Sequence, residues 1–407
     1  MSQIDTPRPG DALGYAGQAI QRVRRGGAWW NDQHVRSLLY QIVVLIGVIA
    51  VGWWFAANAI TNLARAGIAT GFGFLTREAG FGIGEGVIEY TPSHTYGRAL
   101  FVGFLNTIKV AVIGCILTTI LGTFLGVLRL TSNPLLARLM SGYIEIIRNV
   151  PLLLQLFFWY ALVIALPQPS QALNPIYGVF LSNRGIKVPG IDLHPSHGGV
   201  AGAFVLGVAA TVWLARHART RQAATGQRMS VLPASLGLLI GLPLIVGWIQ
   251  GAPFDLDVPE LKGFNFQGGL TLSPEFAALL IGLTVYTSAY VAEIVRAGIQ
   301  AVNKGQWEAA GALGFKRGRV LRLIVLPQAL RIIVPPMTST YLNYTKNSSL
   351  AIAIGYPDLV SVANTTMNQT GQAVEAIAIF MTVYLTLSLL ISAFMNWYNR
   401  RISLRER

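Results

Sequence analysis

The chain has 407 residues, 53% of them apolar and only 12% charged, about half the charged share of a soluble globular protein. That balance excludes an ordinary soluble enzyme. Uncharged windows longer than the roughly 18 residues of a membrane-span candidate make it a polytopic membrane protein.

The formal net charge of +14 is therefore weighed loop by loop and not as a nucleic-acid footprint. Cys115, the single cysteine, permits neither an intramolecular disulfide nor a cysteine metal site. Residues 1–37 form a polar, basic tail (Arg22, Arg24, Arg25, Arg36). The apolar run that follows is too long for a signal-peptide core and is expected to stay in the mature protein.

Eight spans are predicted in chain order, which makes the fold class an all-α polytopic membrane protein. The first is 38–60, with Trp53 and Trp54 near one end, the second 99–128, interrupted only by Lys109, and the third 150–166. Spans four and five, 198–215 and 231–250, flank a loop with Arg216, Arg219, Arg221 and Arg228. Span six is 276–292, followed closely by Glu293 and Arg296. Span seven, 332–354, carries Lys346, Asn347 and Pro335–Pro336, and the prolines predict broken helical hydrogen bonding. The eighth, 376–398, ends on the interface anchors Trp397 and Tyr398.

With the amino terminus inside, the inner segments hold 23 Lys and Arg and the outer ones six. The positive-inside rule thus places both termini in the cytoplasm. The outer segments 61–98, 167–197 and 251–274 are too short and too poorly patterned to form a catalytic domain. The expected organisation is a tail (1–37), a first span and outer segment (38–98), a core (99–166), an insertion with two extra spans (167–274), a second core part (275–399) and a short tail (400–407).

The inner loop 296–331 contains seven cations and one anion, Glu308. Good helix formers around Glu308-Ala309-Ala310 precede Gly314, which suits a left-handed helix cap. A short helix, a turn and a second amphipathic helix ending near Pro327 are expected. A small Ala-Ala face with one carboxylate is a docking device for another protein; alternatively, Glu308 only relieves positive charge on a solvated loop.

Glu308-Ala309-Ala310, Gly314 after three intervening residues, Ile324 after nine more, then Leu326-Pro327 resembles the EAA loop of ABC importer permeases. The runs Tyr143 to Tyr160, Ala289 to Arg296, Leu326 to Arg331 and Lys346-Asn347-Ser348-Ser349-Leu350 are similar to segments of the polar amino acid permeases. The longer form, with its extra first span and insertion, looks like one permease of a general L-amino-acid uptake system. The resemblance implies a type I importer fold, a cytoplasmic ATPase dimer carrying ATP and Mg, a second homologous permease (a heterodimer favoured), and a periplasmic amino-acid-binding protein. It also implies that Glu308, Ala309, Ala310, Gly314, Leu326 and Pro327 couple to the ATPase. Independently, the chain has no G-x-x-x-x-G-K-[ST] phosphate loop, so any ATP hydrolysis belongs to another subunit.

Few ionisable groups lie within the spans, and each needs a partner, a snorkelling route or a job. Lys109 is expected to snorkel. Lys346, with Asn347 and Ser349, suits a substrate carboxylate or a structural ion pair. Thr284, Thr287 and Ser288 share one helical face, which serves either a substrate pathway or helix packing. Glu293 with Arg296, and Glu145 with Arg148, are three apart and read as supporting ion pairs. The five histidines, His194 and His197 among them, form no metal spacing. A gradient-driven transporter or channel remains the alternative, although no central carboxylate marks one; an embedded enzyme lacks convergent acid–base groups.

Overall fold

A computed structural model describes residues 33–65, 67, 70–191, 197–226, 230–251 and 256–402. Most of the basic tail, the residues after 402, His194 and Arg228 lie outside the described residues. The chain divides into two compact units, Met1–Phe72 and Gly73–Arg407.

The described part of the first unit is dominated by helix α1 (Gln33–Arg65). At 1.5 Å per residue it is roughly 50 Å long, and its apolar window Val35–Asn62 is long enough to cross a bilayer. Trp53, Trp54 and Phe55 are exposed on it, the arrangement of a helix whose solvent is lipid.

The second unit is mostly helical. Helix α2 (Tyr96–Leu128) starts at the N-cap Thr95, whose side chain accepts from the Arg98 N–H. Helix α3 (Pro134–Asn149) starts at Asn133, with Pro134 in the first turn. Val150–Pro151 breaks the chain, because the residue before a proline is pushed out of the helical region, and α4 (Leu152–Ile164) leaves at 104°. Gln155 holds the bend by donating to the carbonyls of Ile147 (2.8 Å) and Val150 (3.0 Å). At 13 residues, α4 is too short to cross alone, so the third expected span exists only as this bent pair.

The insertion holds helix α5 (His197–Thr225), which packs against a returning pair, α6 (Leu232–Leu236) and α7 (Leu242–Ile249), joined by a π turn at Gly237–Gly241. Gly207 lies where an added Cβ would be 2.2 Å from the Leu238 carbonyl oxygen, so the hairpin closes through a glycine. Helix α5 runs ten residues past the expected end of its span because nothing in its basic segment stops a helix.

The connections flanking this hairpin form short strands, an addition to the expected helices. Strands β1 (Leu173–Ile176), β2 (Val179–Ser182) and β3 (Gly185–Val188) precede α5 and make an antiparallel sheet with β4 (Leu270–Leu272) in the order β1-β2-β3-β4. The pairing Ile186↔Leu272, Lys187↔Thr271 and Val188↔Leu270 ties the two ends of the insertion together, so the long detour re-enters the core in register.

Helix α8 (Pro274–Gln300) carries a full start signal: Ser273 accepts from the Phe276 N–H (3.1 Å), Pro274 opens the first turn and Glu275 faces the positive helix end. Beyond it come α9 (Lys304–Ala312), α10 (Arg317–Val320), α11 (Leu326–Asn347), α12 (Leu359–Thr370) and α13 (Ala373–Ile402). Seven described helices are long and apolar enough to cross a membrane, or eight when the bent α3–α4 pair counts as one.

The core is α8 wrapped by its neighbours. Its most extensive contact is with α2, whose small residues Gly114, Thr118, Gly122 and Gly126 recur every fourth residue; Gly122 and Gly126 lie against α8, while Gly114 makes room for the Tyr344 side chain of α11. An added Cβ at Gly122 would be 2.5 Å from Val291 Cβ, and one at Gly126 2.7 Å from the Ala292 carbonyl oxygen. Small residues at this spacing let two backbones approach closely, the dominant attraction between helices in lipid.

Two expectations are corrected in the last core part. The second amphipathic helix does not end near Pro327. A helix runs unbroken from Arg317 to Ile354, because the π turn Leu321–Val325, closed by Leu326 N–H to the Leu321 carbonyl, absorbs the proline that follows. Nor do Pro335 and Pro336 break it; both lie inside α11 on its exposed side. Beyond the π turn the backbone changes at Ser348–Ile354, which tightens to a 3₁₀ helix and stops at Gly355 with φ +80°.

Candidate functional site

At one end of the bundle, α9 is a nine-residue helix capped at both ends. The Asn303 side chain accepts from the Gly305 N–H (2.8 Å). At the other terminus Gly314 has φ +77°, with Phe315 N–H bonded to the Ala310 carbonyl (3.2 Å) and Gly314 N–H to the Gly311 carbonyl (2.9 Å). This pair of bonds is the Schellman arrangement that glycine permits. Ala310 is buried among Val302, Val320 and Val325, with Trp307 beside it. Glu308 and Ala309 are exposed. The helix is therefore anchored on its inner face and presents one carboxylate beside a small residue on its outer face. Leu326 and Pro327 are also exposed, at the start of α11.

Behind α9 lies an ion cluster. Glu293 on α8 pairs with Arg296 one turn on and with Arg129 just past the end of α2, so the supporting pair expected for Glu293 has a second cation that local spacing does not reveal. The expected Glu145–Arg148 pair does not form. Arg148 instead lies over the Tyr290 ring, 5.1 Å from its centroid, because α3 packs against α8 and brings the guanidinium to an aromatic face. Tyr290 and Tyr286 join through their hydroxyls at 3.0 Å.

The polar residues expected to face substrate separate into two groups. Thr284, Thr287 and Ser288 do share a face of α8, but that face is buried, and Ser288 is wholly inaccessible. Its hydroxyl donates to its own helix at Val285 (2.8 Å), and its carbonyl lies against Gly122. In this chain the three lie on a packed face of α8.

Lys346 is exposed, and none of the ion pairs among the described residues includes it. Asn347 is half-buried beside it, and the Ser349 hydroxyl donates to the Lys346 carbonyl (2.7 Å). Ser339 and Asn343 are exposed on the same side of α11 as Lys346. Spacing of three and four residues aligns the three side chains in one stripe. The sequence reading missed Ser339 and Asn343, although their offset from Lys346 is the signal that would have found them.

At the opposite end of the bundle, Lys109 does not simply snorkel. It pairs with Glu85 from the segment before α2 and lies over the Phe276 ring at 4.0 Å. Glu85 also accepts from Ser273, and Asn106 donates to the carbonyls of Glu85 (2.8 Å) and Pro357 (2.9 Å). Nearby, buried Asp358 accepts from the Ser361 N–H (2.8 Å), capping α12, and from the Tyr384 hydroxyl (3.3 Å). Burial pushes its carboxyl up to about 7. Among the described residues no group of three or more His, Cys, Asp or Glu could hold a metal.

Comparison with known proteins bears on this arrangement. Residues 118–404 match the model of a family described as the binding-protein-dependent transport system inner membrane component. The chain is 49% identical to the putative amino-acid ABC transporter permease protein YhdX of Escherichia coli K12, over 94% of this chain and 98% of that one. It is 46% identical to the general L-amino acid transport system permease protein AapQ of Rhizobium johnstonii, over 96% and 99% of the two chains. Among solved structures, an amino acid ABC transporter crystallised with histidines aligns at 22% identity and a TM-score of 0.45, covering 75% of this chain and 95% of that one. With its membrane helices, its capped and anchored α9 and this breadth of match, the chain belongs to the family of inner-membrane components of binding-protein-dependent transport systems.

Proposed function

We propose that this chain is one permease half of an ATP-driven importer that carries L-amino acids across the bacterial inner membrane, with both of its termini in the cytoplasm. The observation that carries the proposal is α9: a short helix anchored by Ala310, closed by Gly314 and presenting Glu308 outward. A capped helix with one exposed carboxylate is a rigid contact for a cytoplasmic ATPase dimer, which binds ATP and Mg and hydrolyses the nucleotide. Leu326 and Pro327 extend that contact to the start of α11.

Substrate class follows from the names of the relatives, one a putative amino-acid permease and one a general L-amino acid permease. The stripe Ser339, Asn343 and Lys346 supports it chemically. A polar face on a membrane helix needs water or a partner over it. The Lys346 ammonium suits the carboxylate shared by all amino acids, with Asn347 and Ser349 shaping its surroundings. A second, homologous permease closes the other side of the path, and a periplasmic binding protein delivers the amino acid to it. Alternating access then follows from closure of the ATPase dimer against α9.

The test is a mild-detergent pull-down of the tagged chain from its native membrane, alone and as Glu308→Lys. A P-loop ATPase that accompanies the parent chain and is lost from the variant, with membrane insertion unchanged, is expected. Recovery of the chain without an ATPase, and uptake that survives ATP depletion, would overturn the reading in favour of a gradient-driven transporter.

A further inference from the structure

A cleft of about 800 Å3 opens at the α9 end of the bundle, between the turn after α2, the end of α8, and the α9–α10 segment. Its lining is layered. Val127, Ile299 and Leu321 come from the membrane helices and the π turn, whereas Thr131, Ser132, Lys304 and Arg317 come from the connections beyond them. No carboxylate lines it. Lys304 and Arg317 are exposed, and the ion pairs among the described residues include neither. The nearest acid on α8, Glu293, is already held between Arg129 and Arg296 and cannot neutralise them. Trp307, half-buried, completes the wall with a ring suited to the headgroup level of a bilayer.

An apolar wall continuous with membrane helices, topped by two unpaired cations and two hydroxyls, matches an amphiphile with an anionic head and a hydrocarbon root. A basic pocket between helix ends at the membrane surface is the recognised form of an anionic-lipid site. The cations and hydroxyls are donors for phosphate oxygens. We propose that this cleft binds the phosphate headgroup of an anionic phospholipid, seating the lipid against α9. Such a lipid would brace α9 along its Lys304–Trp307 side, next to the Ala310 anchor, so that the docking helix rests partly on the membrane itself and Glu308 stays free on the outer face. The site depends only on the chain being embedded in a bilayer, not on which solute it carries.

The test uses the purified full chain, stripped of lipid in detergent and titrated with spin-labelled phosphatidylglycerol or phosphatidylcholine. Saturable binding that prefers phosphatidylglycerol is expected. Lys304→Gln with Arg317→Gln should weaken it by about thirtyfold, since each basic side chain at such a surface is worth a factor of about five. Arg216→Gln with Arg221→Gln on α5, which removes the same charge away from the cleft, should leave the preference intact. All four side chains are exposed, so folding is preserved in both variants. Equal affinity for the two lipids, or a preference that survives the cleft variant, would overturn the proposal. So would competition by inorganic phosphate as effective as the lipid, which would make the ligand a soluble anion, or displacement of the lipid by the ATPase, which would make the cleft a protein interface.

Discussion

Helices α8 and α11 pack against each other in the core, and each carries a line of polar side chains, yet the two lines meet opposite fates. On α8 the hydroxyls of Thr284, Thr287 and Ser288 are buried, and the backbone beside them lies against the glycine row of α2. On α11, Ser339, Asn343 and Lys346 are exposed, and Pro335 and Pro336 extend the same open side. The difference teaches where solute contact belongs in a membrane protein. A hydroxyl facing a glycine row serves close helix approach, whereas a polar stripe left open in lipid implies something polar beyond the chain.

The comparison breaks most severely at Gly122. Gly122→Leu forces a side chain where even a Cβ would lie 2.5 Å from Val291; overpacking there should cost about 3 kcal/mol and separate α2 from α8. Size-exclusion chromatography of the detergent-extracted chain checks it, and a monodisperse peak at wild-type yield would show that the seam tolerates bulk.

Asp358 supplies a third case, a buried polar group with partners inside the chain. Its folded pKa is raised from 3.8 to about 7, so the native state holds this proton more tightly than the unfolded chain. The resulting stability is complete below about 4 and is lost as pH rises through about 7. Asp358→Asn keeps an acceptor for the Ser361 N–H and should flatten that part of the pH profile of thermal unfolding. An unchanged slope would mean that another group is responsible.

Substrate contact is tested by paired variants. Lys346→Ala should raise the half-saturation concentration for amino-acid uptake roughly tenfold, the value of one charge-assisted hydrogen bond. Thr287→Val, which removes a buried hydroxyl without a hydrogen-bond partner, should leave uptake unchanged. The reverse pattern would return the path to α8. The smallest effect belongs to Gly314→Ala, which places a Cβ at φ +77°. A strain of about 1 kcal/mol should speed local opening of α9 about fivefold, measured as amide hydrogen exchange over 311–315.

Much of this was legible in the residues. Charge-free runs gave the spans, because lipid enforces apolar length, and Gly314 marked the end of α9 because few other residues adopt its conformation. Features that depend on a second segment stayed hidden. Arg129 reaches Glu293 across 164 positions, and Arg148 finds Tyr290 in place of Glu145. The pairing of β3 with β4 stayed hidden because it joins segments separated by the whole α5–α7 hairpin. Pro327, Pro335 and Pro336 misled for a different reason: the π turn and an open helix face accommodate what local rules forbid.

The uninterrupted run from Arg317 to Ile354 has a mechanical consequence. Its 38 residues make a rod roughly 57 Å long, with its start beside α9 and its far end at Gly355. A rod converts small rotations into large displacements: tilting it by about 5° at Leu326 carries the opposite tip several ångströms sideways, by geometry alone. The π turn at Leu321–Val325, a departure from α geometry, lies at the fulcrum. A tilt at that end is thereby amplified along the helix by geometry alone, with no relay of intermediate side chains.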